Sequence, residues 1–169
     1  MKFNDFLKNI FQKYKKDEIT FIGLGNPYRS DDGVGIEFIN RIREDFNNSY
    51  TEFDNMDEVI LNLMKSKNPG LLLFIDCSDF KGTPGEIRIT TYDEIEDYGK
   101  HFHKIPIKLY MKLLIKENKQ TFLIGIQPET LDSINEPKLS DVVSKSLTQL
   151  FGIIKDNIVS NSTCQVEKP

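Results

Sequence analysis

Apolar residues recur along this chain in two rhythms, and together they predict alternating helices and strands. In KFNDFLKNIFQKYKK, positions 3, 6, 7, 10, 11 and 14 are apolar at helical spacing. That predicts an N-terminal helix over 2–16, packed on the outside of the domain. Ile19-Thr20-Phe21-Ile22 is β-branched and aromatic, which predicts a buried strand over 19–25, interrupted by the turn-forming cluster Gly23-Leu24-Gly25-Asn26-Pro27. Val34, Ile36, Phe38, Ile39 and Ile42 line one side of a helix over 33–46. A short strand at 50–54 and a helix at 57–65, capped by Asp57 or Asn55, lead to the break at Asn68-Pro69-Gly70. The most apolar run of all, LLLFI at 71–75, reads as a central parallel strand covered on both faces.

Beyond it, GTPGEIRITT at 82–91 reads as a turn and an alternating strand, with Ile87 and Ile89 on one face and Arg88 on the other. That pattern suits an antiparallel edge. Residues 92–105 are irregular, and Pro106 suits the first position of a helix over 106–117. TFLIGI at 121–126 is another buried strand, stopped by Gln127-Pro128-Glu129. A loop leads to the last helix, 139–156. The expected architecture is α/β: a three-layer α/β/α sandwich around a mostly parallel five-stranded sheet with one antiparallel strand. It forms one domain of 169 residues, with an extra helix at 1–16, a core over 19–156 and a flexible polar tail over 157–169.

Composition narrows the partners. The net charge is −4 and there is no basic patch of the kind nucleic-acid binding needs. Lys13, Lys15 and Lys16, and Lys104, Lys108 and Lys112, alternate with apolar residues and read as solvated helix faces. Two cysteines, Cys77 and Cys164, make no disulfide framework. No stretch reaches the ~20 apolar residues of a membrane span. The N-terminus lacks the charged-then-apolar run of a signal peptide, so the expectation is a cytoplasmic monomer with neither nucleic-acid nor membrane partners.

Candidate chemistry collects at one kind of place. Asp31 and Asp32 follow the first strand, Asp76 ends the central strand, and His103 lies in the loop before helix 106–117. Ligands of open α/β sheets bind beyond the carboxyl ends of strands. If the first and central strands are parallel neighbours, Asp32 and Asp76 share an edge, and His103 joins them if its loop crosses that edge. Two carboxylates and an imidazole suit nickel, zinc, iron or manganese, and three protein ligands leave coordination positions open. Blander roles exist for each residue: Asp31 or Asp32 as a helix N-cap, Asp76 satisfied by loop N–H groups, His103 as polar surface. Cys77 with His103 is a thiol-nucleophile alternative, set against the inertness of most buried cysteines. Gly23-x-Gly25-x-x-Tyr28 lacks the third glycine of a dinucleotide fingerprint, and no phosphate-binding loop is present.

Four patches resemble the nickel–iron hydrogenase maturation endopeptidases. They are Gly23-Leu24-Gly25-Asn26 with Asp31-Asp32-Gly33-Val34-Gly35; Phe74-Ile75-Asp76 with Gly82-Thr83-Pro84-Gly85-Glu86-Ile87; His103-Lys104-Ile105-Pro106-Ile107; and Gly125-Ile126-Gln127-Pro128-Glu129. They run in family order across 19–156, and the last two are most similar to the formate-hydrogenlyase (hydrogenase 3) branch. The resemblance implies an aspartic-type endopeptidase that removes the C-terminal extension of a hydrogenase large-subunit precursor after nickel insertion. It places the catalytic and metal-contacting residues at Asp32, Asp76 and His103, with His101 the alternative histidine. Gly25, Asn26, Asp31 and Gly33 then form a substrate-binding loop. The nickel is carried by the substrate rather than permanently bound. Two other functions stand beside this one. A non-catalytic nickel-state checkpoint of hydrogenase assembly would share the fold. The opening Gly23-Leu24-Gly25-Asn26-Pro27 also resembles peptidyl-tRNA hydrolases, but Ser30-Asp31-Asp32-Gly33 stands where that family's catalytic histidine segment belongs.

Overall fold

The computed structural model describes residues 3–66, 70–95 and 106–164, with side chains described as far as Asn157. Five strands form one sheet: β1 (Ile19–Gly23), β2 (Ser49–Thr51), β3 (Leu71–Cys77), β4 (Ile87–Thr90) and β5 (Gln120–Ile126). Their order is β2-β1-β3-β5-β4. The first four in that order are parallel, and β4 runs antiparallel to β5 at the edge. The expected sandwich and the antiparallel edge strand are both present.

The alternation of strand side chains builds two cores. Ile19, Phe21, Leu71, Leu73, Ile75, Ile124 and Ile126 point to one face. There they meet α1 (Phe3–Phe11), α2 (Val34–Ile42) and α5 (Asp141–Cys164) through Leu7, Phe11, Phe38, Ile39, Leu147 and Leu150. Ile22, Leu72 and Phe74 point to the other face, under α3 (Met56–Lys65) and α4 (Ile107–Lys116). Every residue of β1 and β3 is buried, which is why both read as continuous apolar runs.

Boundaries differ from expectation where polar residues join an element. The first helix ends at Phe11 rather than 16, and α2 starts at Val34 after a 3₁₀ turn over Ser30–Gly33. Asn55, not Asp57, caps α3. Pro106 is the N-cap of α4, not its first residue: its carbonyl accepts the Tyr110 N–H at 3.0 Å. β3 runs on through Asp76 and Cys77, so the acid is part of the strand. The tail expected to be loose from 157 is helical to Cys164. A growing helix gains one backbone bond per residue fixed, so polar residues continue it once nucleated, and Asn157 Nδ2 bonds the Ile153 carbonyl at 2.8 Å. Residues 165–169 lie outside the described residues.

Candidate functional site

The register of the sheet decides where the acids fall. Gly23 of β1 pairs with Ile75 of β3, and the ladder continues one step with Leu24 N–H bonding Ile75 O at 2.9 Å. β1 ends there and β3 runs on two residues, so Asp76 and the loop carrying Asp31 and Asp32 emerge at the same carboxyl edge. The 3₁₀ turn over Ser30–Gly33 packs against β3. Asp32 and Asp76 are both buried there, at 8% and 5% exposure.

Glycines make this approach possible. A Cβ on Gly35 would strike the backbone oxygens of Ile75 and Leu24, so the start of α2 rests directly on the ends of both strands. Gly25 has φ +117°, a region L side chains rarely adopt, and a Cβ there would strike the Asp32 carbonyl oxygen. Gly33 is buried against Pro27. Asn26 is exposed at the apex, where its Oδ1 accepts the Tyr28 N–H at 2.9 Å and closes the turn.

Neither acid of the pair caps α2, whose N-cap is Gly33 with no side-chain bond. Asp32 instead points back into its own loop. Its Oδ2 accepts the Asn26 N–H at 3.1 Å and lies 3.8 Å from the Arg29 guanidinium. Asp31, fully buried, turns the other way. Its Oδ1 accepts the Ser140 N–H at 2.7 Å; its Oδ2 accepts Ser140 Oγ–H at 2.9 Å, the Glu129 N–H at 2.9 Å and the Thr130 N–H at 3.1 Å. Four donors compensate that buried charge. Asp31 thus braces the 129–140 loop from below the loop it was grouped with. Asp76 Oδ1 accepts the N–H of Cys77 at 2.8 Å.

The electrostatics of this edge show in Cys77. Burial pushes its thiol far above the ordinary range, and the charges of Asp76, Asp32, Asp31 and Asp79, in that order, push it further. Burial and like charge both disfavour its thiolate, the form a nucleophile needs. The same four carboxylates gather negative charge at this edge. Among the described residues, no three His, Cys, Asp or Glu side chains are grouped to hold a metal ion. The third predicted ligand, His103, and its neighbour His101 lie outside the described residues.

Three further residues shape the site and were not assigned roles from sequence. Glu52 Oε2 accepts the Gly25 N–H at 3.2 Å, fixing the loop from the β2 side. Ser140 supplies two of the donors to Asp31. Gln127 is buried, with Oε1 accepting the N–H groups of Phe80 and Gly82, both at 3.0 Å, and Nε2 donating to Asp79 Oδ1 at 3.1 Å. The sequence held one signal for each of the last two: a serine just before a long helix, and a glutamine ending a buried strand.

The chain matches known proteins over this same architecture. The sequence model of the HycI hydrogenase maturation proteases matches residues 56–157. A Methanocaldococcus jannaschii protein assigned to the hydrogenase maturation proteases is 29% identical over 154 residues, covering 82% of this chain and 89% of its own. The fold is similar to that of the [NiFe] hydrogenase maturation protease HycI from Thermococcus kodakarensis, with a TM-score of 0.73 at 20% identity over 90% of this chain and 98% of that one. It is also similar to the endopeptidase HycI from Escherichia coli, with a TM-score of 0.65 at 20% identity over 79% and 86%.

Proposed function

We propose that this chain, which belongs to the hydrogenase maturation protease family, is an aspartic-type endopeptidase that trims the C-terminal extension of a nickel–iron hydrogenase large-subunit precursor once that precursor holds nickel. The observation that supports this most is that Asp32 and Asp76 are both buried at one sheet edge, with no capping duty for Asp32. Two such carboxylates repel each other and favour a shared cation. They form part of a shell that His103 extends and that nickel on the substrate completes, docking the scissile bond at the sheet edge. A precursor without nickel lacks that anchor and is spared.

Hydrolysis then uses the same acids. Water attacks the scissile carbonyl, one carboxylate takes its proton, and that proton passes to the leaving amine. The substrate's nickel supplies Lewis-acid polarisation when it is present. Asp32 and Asp76 bind and orient; the loop of Gly25, Asn26 and Gly33 lies against the extension. The protein acts as a cytoplasmic monomer, and among the described residues no helix is long and apolar enough to cross a membrane.

The test is intact-mass analysis of nickel-loaded precursor treated with the unaltered protein and with Asp32→Asn, Asp76→Asn and His103→Ala. The expected result is a shortened large subunit from the unaltered protein only, with all variants folded. Binding of the precursor without shortening by the unaltered protein would favour the checkpoint reading instead. Full trimming by His103→Ala would move the histidine role to His101.

A further inference from the structure

Asp31 and Gln127 between them hold the loop that carries Asp32 and the segment that follows Asp76 where the chain leaves β3. We infer that they are positioning residues which grip the two ends of one short segment, 127–130, and through it set the placement of Asp32 relative to Asp76. This rests on the proposed protease reading for its kinetic consequence, but not for its structural one.

At one end, every polar group of Gln127 is committed to the segment that follows Asp76. Its side chain holds Phe80, Gly82 and Asp79, its N–H donates to Glu86 O at 2.9 Å, and its carbonyl accepts the Gly85 N–H at 2.8 Å. The chain leaves β3 at Cys77, and Ser78 N–H bonds Ile126 O at 3.0 Å, so the grip begins at once. At the other end, Glu129 and Thr130 donate their N–H groups to Asp31 Oδ2, and Thr130 O accepts the Asp31 N–H at 3.3 Å. Asp31 is covalently next to Asp32.

The strut between the grips is short and stiff. Three residue steps span at most about 10–11 Å when extended. Pro128 has its φ fixed by its ring and restricts Gln127 before it to extended backbone. Displacement at either end is therefore passed to the other rather than absorbed. The segment's sequence, Gln127-Pro128-Glu129, has the three properties the strut needs: a side chain with both donor and acceptor, a rigid centre, and a free N–H to present to Asp31.

The experiment uses the full chain carrying Asp31→Asn or Gln127→Glu. In Asp31→Asn an NH₂ group must face at least one N–H donor; in Gln127→Glu an oxygen faces Asp79 Oδ1. Amide NMR signals report the two acids: the Asn26 N–H bonds Asp32, and the Cys77 N–H bonds Asp76. Gln127→Glu is expected to shift the Asn26 signal across the strut; the Cys77 signal is not read in Asp31→Asn, because the Asp31 charge acts on Cys77 directly. Signals that shift only in the mutated loop would overturn the inference, whether or not the protein cleaves anything. Kinetics give the second readout. Well below each variant's Tm, kcat is expected to fall about 10²-fold, the loss that follows an ångström of misplacement, with KM within about threefold. Adding Asp79→Asn to Gln127→Glu restores a donor opposite the new oxygen, and is expected to recover at least tenfold in kcat. Loss of kcat only in proportion to the unfolded fraction, with no recovery in the double variant, would reduce both residues to fold stability. Failure of the unaltered protein to trim precursor would sink the protease reading and leave the NMR outcome standing.

Discussion

Gly25→Ala is the sharpest single-atom perturbation of the site. The added methyl lands on the Asp32 carbonyl oxygen, far inside contact distance, and φ +117° is itself strained for alanine. The backbone strain costs on the order of 1–3 kcal/mol, and the overpacking a further ~1–3 kcal/mol. A total of ~4 kcal/mol lowers Tm by about 8–16 °C for a chain of this size. If the strain is relieved instead by moving Asp32 on the order of an ångström, the stability loss is smaller and kcat falls about 10²-fold, equivalent to ~2.7 kcal/mol in the barrier. Thermal melting and precursor-trimming rate on the same preparation separate these two routes. Gly152→Ala is the control, since a Cβ there meets nothing within 4 Å on α5; it is expected to stabilise by ~0.5–1 kcal/mol. A Gly25→Ala protein with unchanged Tm and unchanged trimming would refute the idea that this loop is held against Asp32 by its glycine.

Two further outcomes follow from the titrating groups. Cys77, kept protonated by burial and by the surrounding carboxylates, is expected to resist alkylation in the folded protein at pH 8 and to react fully once unfolded, as read by mass spectrometry; rapid native labelling would contradict the electrostatic picture. Tyr110, buried and donating to Asp57 Oδ1 at 2.6 Å, has its phenol pushed up to about 12 by burial first and that hydrogen bond second. Because the folded value lies above the ordinary one near 10, its contribution is complete below pH 10 and is lost as pH rises toward 12. Stability should fall over that window in the unaltered protein and fall less in Tyr110→Phe, measured by denaturant unfolding; parallel curves would refute it.

The sheet could be read from the sequence because β1 and β3 are covered on both faces, which forces unbroken apolar runs such as Leu71–Ile75. That Asp32 and Asp76 emerge at one sheet edge followed from parallel neighbouring strands, and the β1–β3 register shows those strands parallel and adjacent. Element ends were harder, since Asp76, Pro106 and the polar end of α5 are placed by long-range packing or helix propagation rather than by local pattern. Asp31 shows the limit most clearly. Its neighbour in sequence shares its chemistry, but its partner Ser140 is 109 residues away, and nothing local marks one acid as a brace and the other as a site residue. Gln127 was quoted in a motif, yet its role depends on two loop amides and the Asp79 carboxylate, 45–48 residues upstream.

If nickel carried by the substrate completes the acidic edge, as proposed, only a nickel-loaded precursor is trimmed. The direct measurement is the intact mass of one large-subunit precursor, prepared with and without nickel, after incubation with this protein under identical conditions. Loss of the C-terminal extension from the nickel-loaded form alone is the predicted result. Equal trimming of both forms, or of neither while both bind, would contradict it.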